Sequence, residues 1–412
     1  SAAAGFNGFD TTPFDSYIYQ PGQPGFRPAY ADIMDPDFEL PKDMKMSIGM
    51  DWELGDGWYF SADYLKTETD KDLHFKQLRL GNPAFAGAVD CPEIGNTVSN
   101  MPIGTAVDGR QIYADYSYCG KVMEKFYDSR GYDMLLTNTD KGHSDLVSLS
   151  MAKAWDSWDI YASYTWQDVQ TVGNLSSSRN ISNFKYTTKY ADFNEDVLHR
   201  SIYSREHTFN FVANYTKYFF DNHPTIFTFV GAAVSGEPFS YTLGNYKDGA
   251  LWGLDKESTR DATAAFYVPN GDVDIPSYFQ SDFDSYIAAA GLDQYAGGFA
   301  PINGFETDWN YRLDFKLTQE FPGLGLTDKD KFVLTLDVEN LLNLIDSEYG
   351  RQTKASSSDR SIAEAVPVSL GDGNFTYQYK PAYKMNLDRI HNESTNYYRS
   401  LYRIQLGFKY QF

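Results

Sequence analysis

Apolar and polar residues alternate without a break along residues 402–412. Side chains of a β-strand point to opposite faces in turn, so this pattern predicts a strand with one apolar and one polar face. Such a strand suits either a soluble sandwich or a membrane barrel with lipid on one side and a polar lumen on the other. The aromatic residues Tyr410 and Phe412 favour the barrel, and we predict that they belong to its closing strand. The apolar positions are Tyr402, Ile404, Leu406, Phe408, Tyr410 and Phe412.

The same period of two recurs along the chain and predicts nine strands. They lie near residues 43–54, 57–70, 143–155, 157–170, 203–219, 225–241, 307–321, 331–345 and 398–412. The links between them fall into two classes by length. The short links are 55–57, 155–157, 221–224 and 322–330, and the long links are 73–142, 171–202, 245–306 and 347–397. Short and long links alternate without exception.

This alternation predicts an all-β fold, a transmembrane antiparallel up-and-down β-barrel. Outer-membrane barrels join their strands by short periplasmic turns and long extracellular loops. In that arrangement the chain lies in the outer membrane of a Gram-negative cell, with its long loops extracellular and its C-terminus periplasmic. Nine is an odd number, whereas bacterial single-chain barrels have an even strand count. We therefore expect residues 1–40 to be an extracellular loop and residues 41–412 to be the C-terminal portion of a larger barrel.

The acidic composition excludes one class of partner. The 412 residues include 56 acidic and 35 basic ones, a formal charge of −21. Nucleic-acid binding needs a basic surface instead, so no nucleic acid is expected. Aromatic residues make up 17% of the chain, and tyrosine is typical of the girdles at membrane interfaces. No run approaches the ~18 apolar residues of a membrane-spanning helix. The expected surroundings are a lipid bilayer and lipopolysaccharide.

Two cysteines, Cys91 and Cys119, lie in one of the long links. In an oxidising compartment they would form a disulfide that closes this loop, and the alternative is two unrelated free thiols. The absence of companion His or Cys residues at a suitable spacing argues against a zinc site. Residues 1–5, Ser-Ala-Ala-Ala-Gly, have neither the charged nor the apolar region of a signal peptide. We expect an exported protein to have lost that peptide or to have begun earlier.

No catalytic constellation stands out, and we expect no enzymatic activity. Residues 371–373, Gly-Asp-Gly, are predicted to form a turn. They are not a phosphate-binding loop, because no helix follows them. Asp272 and Asp274 could supply oxygens to a Ca²⁺ ion in an extracellular loop, and the alternative is a solvated acidic loop. Four aromatic residues of the link 245–306 either grip a ligand or pack the loop on itself. They are Trp252, Tyr267, Tyr278 and Tyr286.

Several segments carry a resemblance to a known family. They are residues 35–41 (Asp-Pro-Asp-Phe-Glu-Leu-Pro), 204–211 (Ser-Arg-Glu-His-Thr-Phe-Asn-Phe), 235–241 (Ser-Gly-Glu-Pro-Phe-Ser-Tyr), 308–320 and 337–343 (Asp-Val-Glu-Asn-Leu-Leu-Asn), followed by the terminal aromatic residue. In this order and spacing they resemble TonB-dependent outer-membrane receptors, in particular the Oar-like subgroup. The resemblance covers most of residues 30–412, and the chain departs from it most in the long links.

Such receptors fill a barrel of about 22 strands with an N-terminal plug domain. The resemblance implies that the nine strands are the last of that barrel. The plug and the earlier strands are then missing parts, through which a TonB-type energy transducer acts. The implied function is import of a scarce nutrient, captured by the long loops and admitted when the plug is displaced. Two other functions stay open: a structural or adhesive barrel whose loops bind a surface partner protein or a matrix, and a passive porin.

Overall fold

The computed structural model describes residues 31–78, 80–81, 88–91, 96–99, 102–113, 133–245, 251–252, 264–327, 330–356, 359–382 and 393–412. Strands dominate these residues, which confirms the predicted all-β class. In chain order the first strands are β1 (Ala31–Met34), β2 (Lys42–Gly55), β3 (Trp58–Gln77), β4 (Ala88–Cys91), β5 (Asn96–Ser99), β6 (Gly104–Ala106), β7 (Gln111–Ile112), β8 (Asp133–Thr139), β9 (His143–Ala154), β10 (Trp158–Thr171), β11 (His199–Arg200), β12 (His207–Phe220) and β13 (His223–Val234). The others are β14 (Pro238–Asn245), β15 (Ala264–Ala265), β16 (Tyr267–Val268), β17 (Gly298–Phe299), β18 (Phe305–Glu306), β19 (Asn310–Pro322), β20 (Lys331–Glu339), β21 (Thr353–Ala355), β22 (Asp359–Gly371), β23 (Asn374–Pro381), β24 (Glu393–Thr395) and β25 (Arg403–Gln411).

Nine long strands form one continuous antiparallel sheet, in which each strand pairs with the next of the nine along the chain. They are β2, β3, β9, β10, β12, β13, β19, β20 and β25. Short turns join them at one end of the sheet, and in the first of these Gly55, Asp56 and Gly57 all have positive φ, as tight hairpins require. At the other end the chain leaves the sheet for long connections. These are residues 78–142, 172–206, 235–309 and 340–402.

One face of this sheet is apolar across all nine strands. Directly paired residues of neighbouring strands point to the same face, and the register places apolar residues in rows that cross the sheet. One row is Trp52, Phe60, Met151, Ala162, Phe211 and Gly231, and another is Phe229, Phe315, Val338 and Ile404. The Phe211 ring lies over Gly231, where an added Cβ would stand 1.9 Å from it. Large side chains of this face are exposed, for example Leu406 at 71% and Phe408 at 69%.

The nine-stranded sheet is open. Strands β2 and β25 are its edges, and within the described residues each pairs on one side only. As the first and ninth strands of an antiparallel series, they run in the same direction, so pairing them directly would need a parallel ladder. An antiparallel barrel closed through these edges would therefore take an odd number of further strands. The larger barrel itself stays a prediction.

The long connections, which the sequence predicts as loops, fold together into a second sheet. Its strand order is β15-β14-β22-β23-β6-β7, and β18 also pairs with β14. The pairs β14–β22 and β6–β23 are parallel, so segments far apart in the chain meet in this sheet. We call the assembly of the four long connections the loop layer. Residues 31–34, also predicted as loop, form β1 and pair in parallel with β8.

The hydrophobic core cluster lies in the loop layer. All four long connections contribute buried residues to it, including Ile112, Phe184, Phe193, Trp252, Phe266, Phe283, Ile362, Tyr377 and Tyr379. Phe75 and Met134 belong to the same cluster: Phe75 comes from the end of β3, which extends beyond the nine-stranded sheet, and Met134 from β8, which pairs with that end. Burial of apolar surface is the main favourable term in folding, so the loop layer is a packed unit joined to one end of the sheet.

The α-helices of the described residues all lie in the long connections. They are α1 (Asn180–Lys185), α2 (Ser277–Ala289), α3 (Leu341–Ile345) and α4 (Tyr397–Ser400). Phe279, Phe283 and Tyr286 recur on one side of α2, and all three are buried in the loop layer. Among the described residues no helix combines the length and the apolar character needed to cross a membrane.

Candidate functional site

A buried chain of hydrogen bonds crosses the loop layer. The Trp252 Nε1–H donates to the Tyr377 hydroxyl at 3.1 Å, and that hydroxyl donates to Asp108 Oδ1 at 3.0 Å. Asp108 Oδ2 lies 2.8 Å from Arg110 Nη1, and both of these side chains are fully buried. The Arg110 guanidinium also lies 5.1 Å from the centre of the Trp252 ring. Each of these polar groups has a partner, so this chain of hydrogen bonds offers no free binding group.

The tyrosines of this region are held neutral. Burial first, and then the negative charge of Asp108, raises the pKa of Tyr377 well above its usual value. The same two causes raise the pKa of Tyr379, whose hydroxyl donates to the backbone oxygen of Tyr267 at 3.0 Å. Both hydroxyls therefore remain hydrogen-bond donors over the whole physiological pH range.

Three of the four aromatic residues predicted as ligand contacts lie in the core of the loop layer. Trp252, Tyr267 and Tyr286 are 2%, 5% and 1% exposed. These positions correspond to the alternative in which the loop packs on itself. Tyr278 differs, since it lies on the outer side of α2 and is 71% exposed. A ligand contact by these four residues stays a prediction.

Asp272 and Asp274, the candidate Ca²⁺ ligands, use their carboxylates within the protein. Asp272 accepts hydrogen bonds from the Tyr267 hydroxyl and from the backbone N–H of Asn270. Asp274 Oδ2 accepts one from Gln378 Nε2 at 2.5 Å. In the described ranges, no three His, Cys, Asp or Glu side chains are grouped so that they could hold a metal ion. Calcium binding by the two aspartates stays a prediction.

The remaining predicted features lie at different places in the fold. Cys91 is the last residue of β4 and Cys119 lies outside the described residues, so the predicted disulfide lies outside them as well. Tyr410 pairs with Phe332 of β20, and its hydroxyl donates to Asp330 Oδ2 at 2.7 Å. Phe412 follows β25 and is 84% exposed.

The loop layer contains a cavity of about 360 Å³ that no sequence motif indicates. Its wall includes the aromatic side chains of Tyr113, Phe193 and Trp252, together with the polar side chains of Gln111 and Asp192. Burial first, and then the charge of Asp192, raises the pKa of Tyr113 to about 12. An aromatic wall with a few polar groups is typical of small-ligand sites. These residues come from three different connections, so only the folded chain brings them together.

Lys189 is a buried lysine of the loop layer. It is 7% exposed, and within the described residues its ammonium group has no hydrogen bond or ion pair. Its Nζ lies 5.3 Å from the centre of the Phe184 ring. Burial lowers the pKa of Lys189 to about 8, and the charges of Asp192 and Asp196 oppose this only in part. Because these two charges offset only part of the effect of burial, the ammonium group is costly to the fold.

Two polar side chains anchor the loop layer to the sheet. Asn340, directly after β20, adopts a left-handed conformation with φ 51°, and its Nδ2 donates to two backbone oxygens at 2.9 and 2.6 Å. Glu237, between β13 and β14, accepts hydrogen bonds from Arg205 Nη2 at 2.8 Å and from the backbone N–H of Ala355 at 2.9 Å. Both anchors lie in segments that carry the family resemblance.

The polar face of the nine-stranded sheet carries charges of both signs. Lys316 and Asp337 are directly paired across β19 and β20, and their charged atoms lie 3.1 Å apart. Arg312 Nε lies 2.9 Å from Asp314 Oδ2 on the same strand. Such a mixture suits a hydrated or filled interior, whereas an ion-selective pore would need a ring of one sign.

Aromatic rings stack where the apolar face meets the loop layer. The His207 ring lies 6.0 Å from the Tyr164 ring at an interplanar angle of 18°, and 5.8 Å from the Trp309 ring at 10°. Trp309 in turn stacks on Tyr311 at 6.3 Å. This row crosses from β10 through β12 to the start of β19. Aromatic side chains with one polar group are typical of membrane interfaces.

Comparisons with known proteins leave the family open. No protein-family model matches the chain, and no curated protein matches it. Among solved structures, the chain is similar to the outer membrane transporter YddB from Escherichia coli, with a TM-score of 0.36 and 11% sequence identity. The similarity covers 86% of this chain and 33% of that one, so this chain spans about a third of the length of YddB. The all-β fold therefore rests on the strands of the chain itself.

Proposed function

We propose that this chain is the C-terminal part of the β-barrel of an outer-membrane transporter of the TonB-dependent receptor type, Oar-like in its motifs. The observation that carries the proposal is the nine-stranded antiparallel sheet, with alternating short and long connections and one apolar face. Water-soluble monomers rarely expose apolar patches larger than a few hundred Å². A sheet that spans a membrane must expose such a face to lipid, with its backbone hydrogen bonds made between strands.

The height of the apolar face supports a membrane span. On β10, Trp158 near the turn and Trp166 near the loop layer are eight residues apart on this face. Eight residues of strand extend about 26 Å, or about 20 Å along the barrel axis after a tilt of ~40°. The apolar band of outer-membrane barrels is about 25 Å tall and lies between two aromatic girdles. The two tryptophans stand at the levels where these girdles would lie.

The connection lengths give the orientation. Short turns belong on the periplasmic side and long connections outside the cell, so the loop layer would face the medium and β25 would end near the periplasm. The free edges of β2 and β25 would pair with further strands, and the polar face would surround a plug. A TonB-type transducer would act on that plug from the periplasm, as the resemblance implies. The chain itself would carry out no catalytic step.

Ligand capture would fall to the loop layer. Its packed core makes it a firm platform, and the cavity beside Tyr113 and Asp192 is a recess in which a small molecule could lie. Nutrient import follows if binding at this platform is coupled to displacement of the plug.

Medium depletion in the native cell tests the proposed import. Three strains would be grown in parallel: the parent, one lacking this gene and one lacking the TonB-type transducer. Untargeted mass spectrometry of the spent medium would compare the compounds that each strain consumes. We expect at least one compound to be left behind by both deletion strains. If the transducer deletion still consumes whatever the gene deletion leaves, the protein is a passive porin. If neither deletion alters the medium but the gene deletion loses attachment to surfaces or cells, the barrel is adhesive.

Orientation is tested by labelling in intact cells. Tyr278→Cys, on the exposed side of α2, should react with a membrane-impermeant maleimide before lysis. Asp156→Cys, in the exposed turn between β9 and β10, should react only after lysis. The reverse order, or equal labelling of both, would contradict the orientation.

A further inference from the structure

A cavity of about 480 Å³ lies where the start of β19 meets the last long connection. We call it the rim cavity, because it lies at the rim of the nine-stranded sheet, next to the loop layer. Trp309 and Tyr311 line one side of it, and Tyr349 and Arg351 line the other. None of these residues lines the cavity beside Tyr113, so the rim cavity is a separate site.

Three aromatic rings line the rim cavity, and none of them belongs to the core cluster of the loop layer. Tyr311 and Tyr349 are 52% and 59% exposed. Trp309 stacks on Tyr311 with the ring centres 6.3 Å apart, and Tyr349 comes from the opposite side. The face of an aromatic ring carries a negative partial charge and attracts a cation that comes within about 6 Å. Rings on two sides of one cavity therefore favour a positively charged ligand.

The charged side chains of the wall favour the same sign. They are two carboxylates, Asp308 and Glu348, and one guanidinium, Arg351, which leaves a net charge of −1. The guanidinium is engaged within its own loop, since Nη2 lies 2.5 Å from Glu348 Oε1 and Nε donates to the Ser347 backbone oxygen at 3.2 Å. An anion entering the cavity would meet two carboxylates and a guanidinium that is already paired. An ammonium group would be attracted by the carboxylates and could donate its N–H groups to their oxygens.

A second cavity, of about 410 Å³, adjoins the rim cavity over the strands, and Tyr311 and Leu342 line both. Its wall is mainly apolar and includes Phe209, Phe211 and Leu313. Its charged residue, Arg312, is paired with Asp314 at 2.9 Å. A ligand whose charged group lies in the rim cavity can thus place an apolar substituent against Tyr311 and Leu342.

We propose that the rim cavity binds the ammonium group of a small alkylamine. The ammonium lies among the rings of Trp309, Tyr311 and Tyr349 with Asp308 and Glu348 beside it, and the alkyl group extends towards the second cavity. This site goes beyond the proposed import, because it lies outside the recess assigned to the transported ligand and its binding needs no plug.

Saturation-transfer difference NMR tests the site, with the full-length protein in nanodiscs of zwitterionic phospholipid at pH 7. The probes are n-butylammonium, 1-butanol and butyrate, which share a short chain and differ in charge. The wild type should bind butylammonium saturably and about fivefold or more tighter than the other two. Equal binding of the three probes, a preference for butyrate, or no saturable binding of butylammonium would overturn the proposal.

Two pairs of variants locate the binding. Asp308→Asn and Tyr349→Leu should each weaken butylammonium binding about two- to fivefold. Asp372→Asn is the matched control for charge, since Asp372 is exposed in a hairpin turn and does not line the cavity. Tyr398→Leu is the control for the ring, since Tyr398 is 82% exposed on α4 and does not line it either. Both controls should bind as the wild type does, and an equal loss in a variant and its control would overturn the site.

A third variant separates loss of the site from loss of the fold. Arg351→Gln removes the guanidinium that competes for Glu348, so butylammonium binding should become about two- to fivefold tighter. A misfolded protein would not show this gain, and binding weaker than that of the wild type would contradict the role of the charges. The medium-depletion test concerns import alone, so the two proposals can fail separately.

Discussion

Replacing the buried lysine of the loop layer should stabilise the protein. The ordinary pKa of a lysine is 10.5, and burial lowers that of Lys189 to about 8. The difference of about 2.5 pH units, at about 1.36 kcal/mol per unit, corresponds to about 3 kcal/mol by which the buried ammonium destabilises the fold. Its contact with the Phe184 ring offsets about 0.5–1 kcal/mol of the substitution's gain. Lys189→Met keeps the apolar stem and removes the charge, so we expect a gain of about 2–3 kcal/mol at pH 7.

The gain should depend on pH in a definite direction. Below pH 8 the ammonium is charged in both the folded and the unfolded chain, so the cost of burying it is felt in full. Between pH 8 and 10.5 the folded lysine has lost its proton while the unfolded one keeps it, and the cost falls. The advantage of Lys189→Met should therefore be largest at neutral pH and should disappear near pH 10.5.

Urea unfolding of the full-length protein in detergent micelles measures both effects. Tryptophan fluorescence is a suitable signal because Trp252 is buried in the loop layer. Lys354→Met is the matched control, since Lys354 is exposed on β21 and its replacement should change the free energy of unfolding by no more than about 0.5 kcal/mol. A variant at Lys189 that is less stable than the wild type at pH 7, or whose gain is the same at pH 7 and pH 10.5, would refute the reasoning.

Three further predictions follow from other parts of the fold. Burial lowers the pKa of His74 to about 4, so holding its ring neutral in the folded chain costs stability as pH falls from 6.5 towards 4; near-ultraviolet circular dichroism should show acid loosening that His74→Gln reduces. Leu406→Arg should cost about 2–4 kcal/mol near the bilayer midplane, whereas Gln405→Arg should be mild, as folding titrations in vesicles would measure; equal costs would contradict the face assignment. Thiol labelling of the exported protein should modify Cys91 and Cys119 only after reduction, and reaction before reduction would rule out their disulfide.

The sheet could be predicted from the sequence because its signal is local. Most of the long strands alternate apolar and polar residues, although β13 does not, and the links between strands differ sharply in length. β25 shows this well: residues 402–412 alternate in sequence, and in the fold Leu406 pairs with Leu336 and Phe408 with Leu334 on one face. Only in a strand do alternate residues point to opposite faces. The pattern therefore predicts strands without reference to the neighbouring segments.

The loop layer could not be predicted because its contacts are long-range. β6 pairs with β23, so residue 105 meets residue 374, and no short-range pattern marks such a pairing. One hairpin of the loop layer nevertheless has a local signal in the sequence. Phe375, Tyr377 and Tyr379 alternate with polar residues directly after the Gly-Asp-Gly turn, which predicts a hairpin. These residues lie within the link 347–397, which the sequence as a whole predicts to be a loop.

The candidate binding residues show the same division. Aromatic residues in the link 245–306 were visible from composition, but the sequence does not distinguish a core ring from an exposed one. Trp252 and Tyr286 pack inside the layer, whereas Tyr278 on the same helix as Tyr286 points outwards. Lys189 and Tyr113 belong to no sequence motif. Only their burial in the folded chain marks them as candidates.

The central claim is that one face of the nine-stranded sheet contacts lipid. Single cysteines at successive positions of β25, from Gln405 to Lys409, would be labelled with a fluorophore in the full-length protein reconstituted in vesicles. A quencher dissolved in the bilayer and a quencher dissolved in water would then be compared at each position. A lipid-facing sheet predicts that labels at Leu406 and Phe408 respond to the bilayer quencher and labels at Gln405 and Lys409 do not. The same response at every position, or a stronger response at the polar ones, would contradict it.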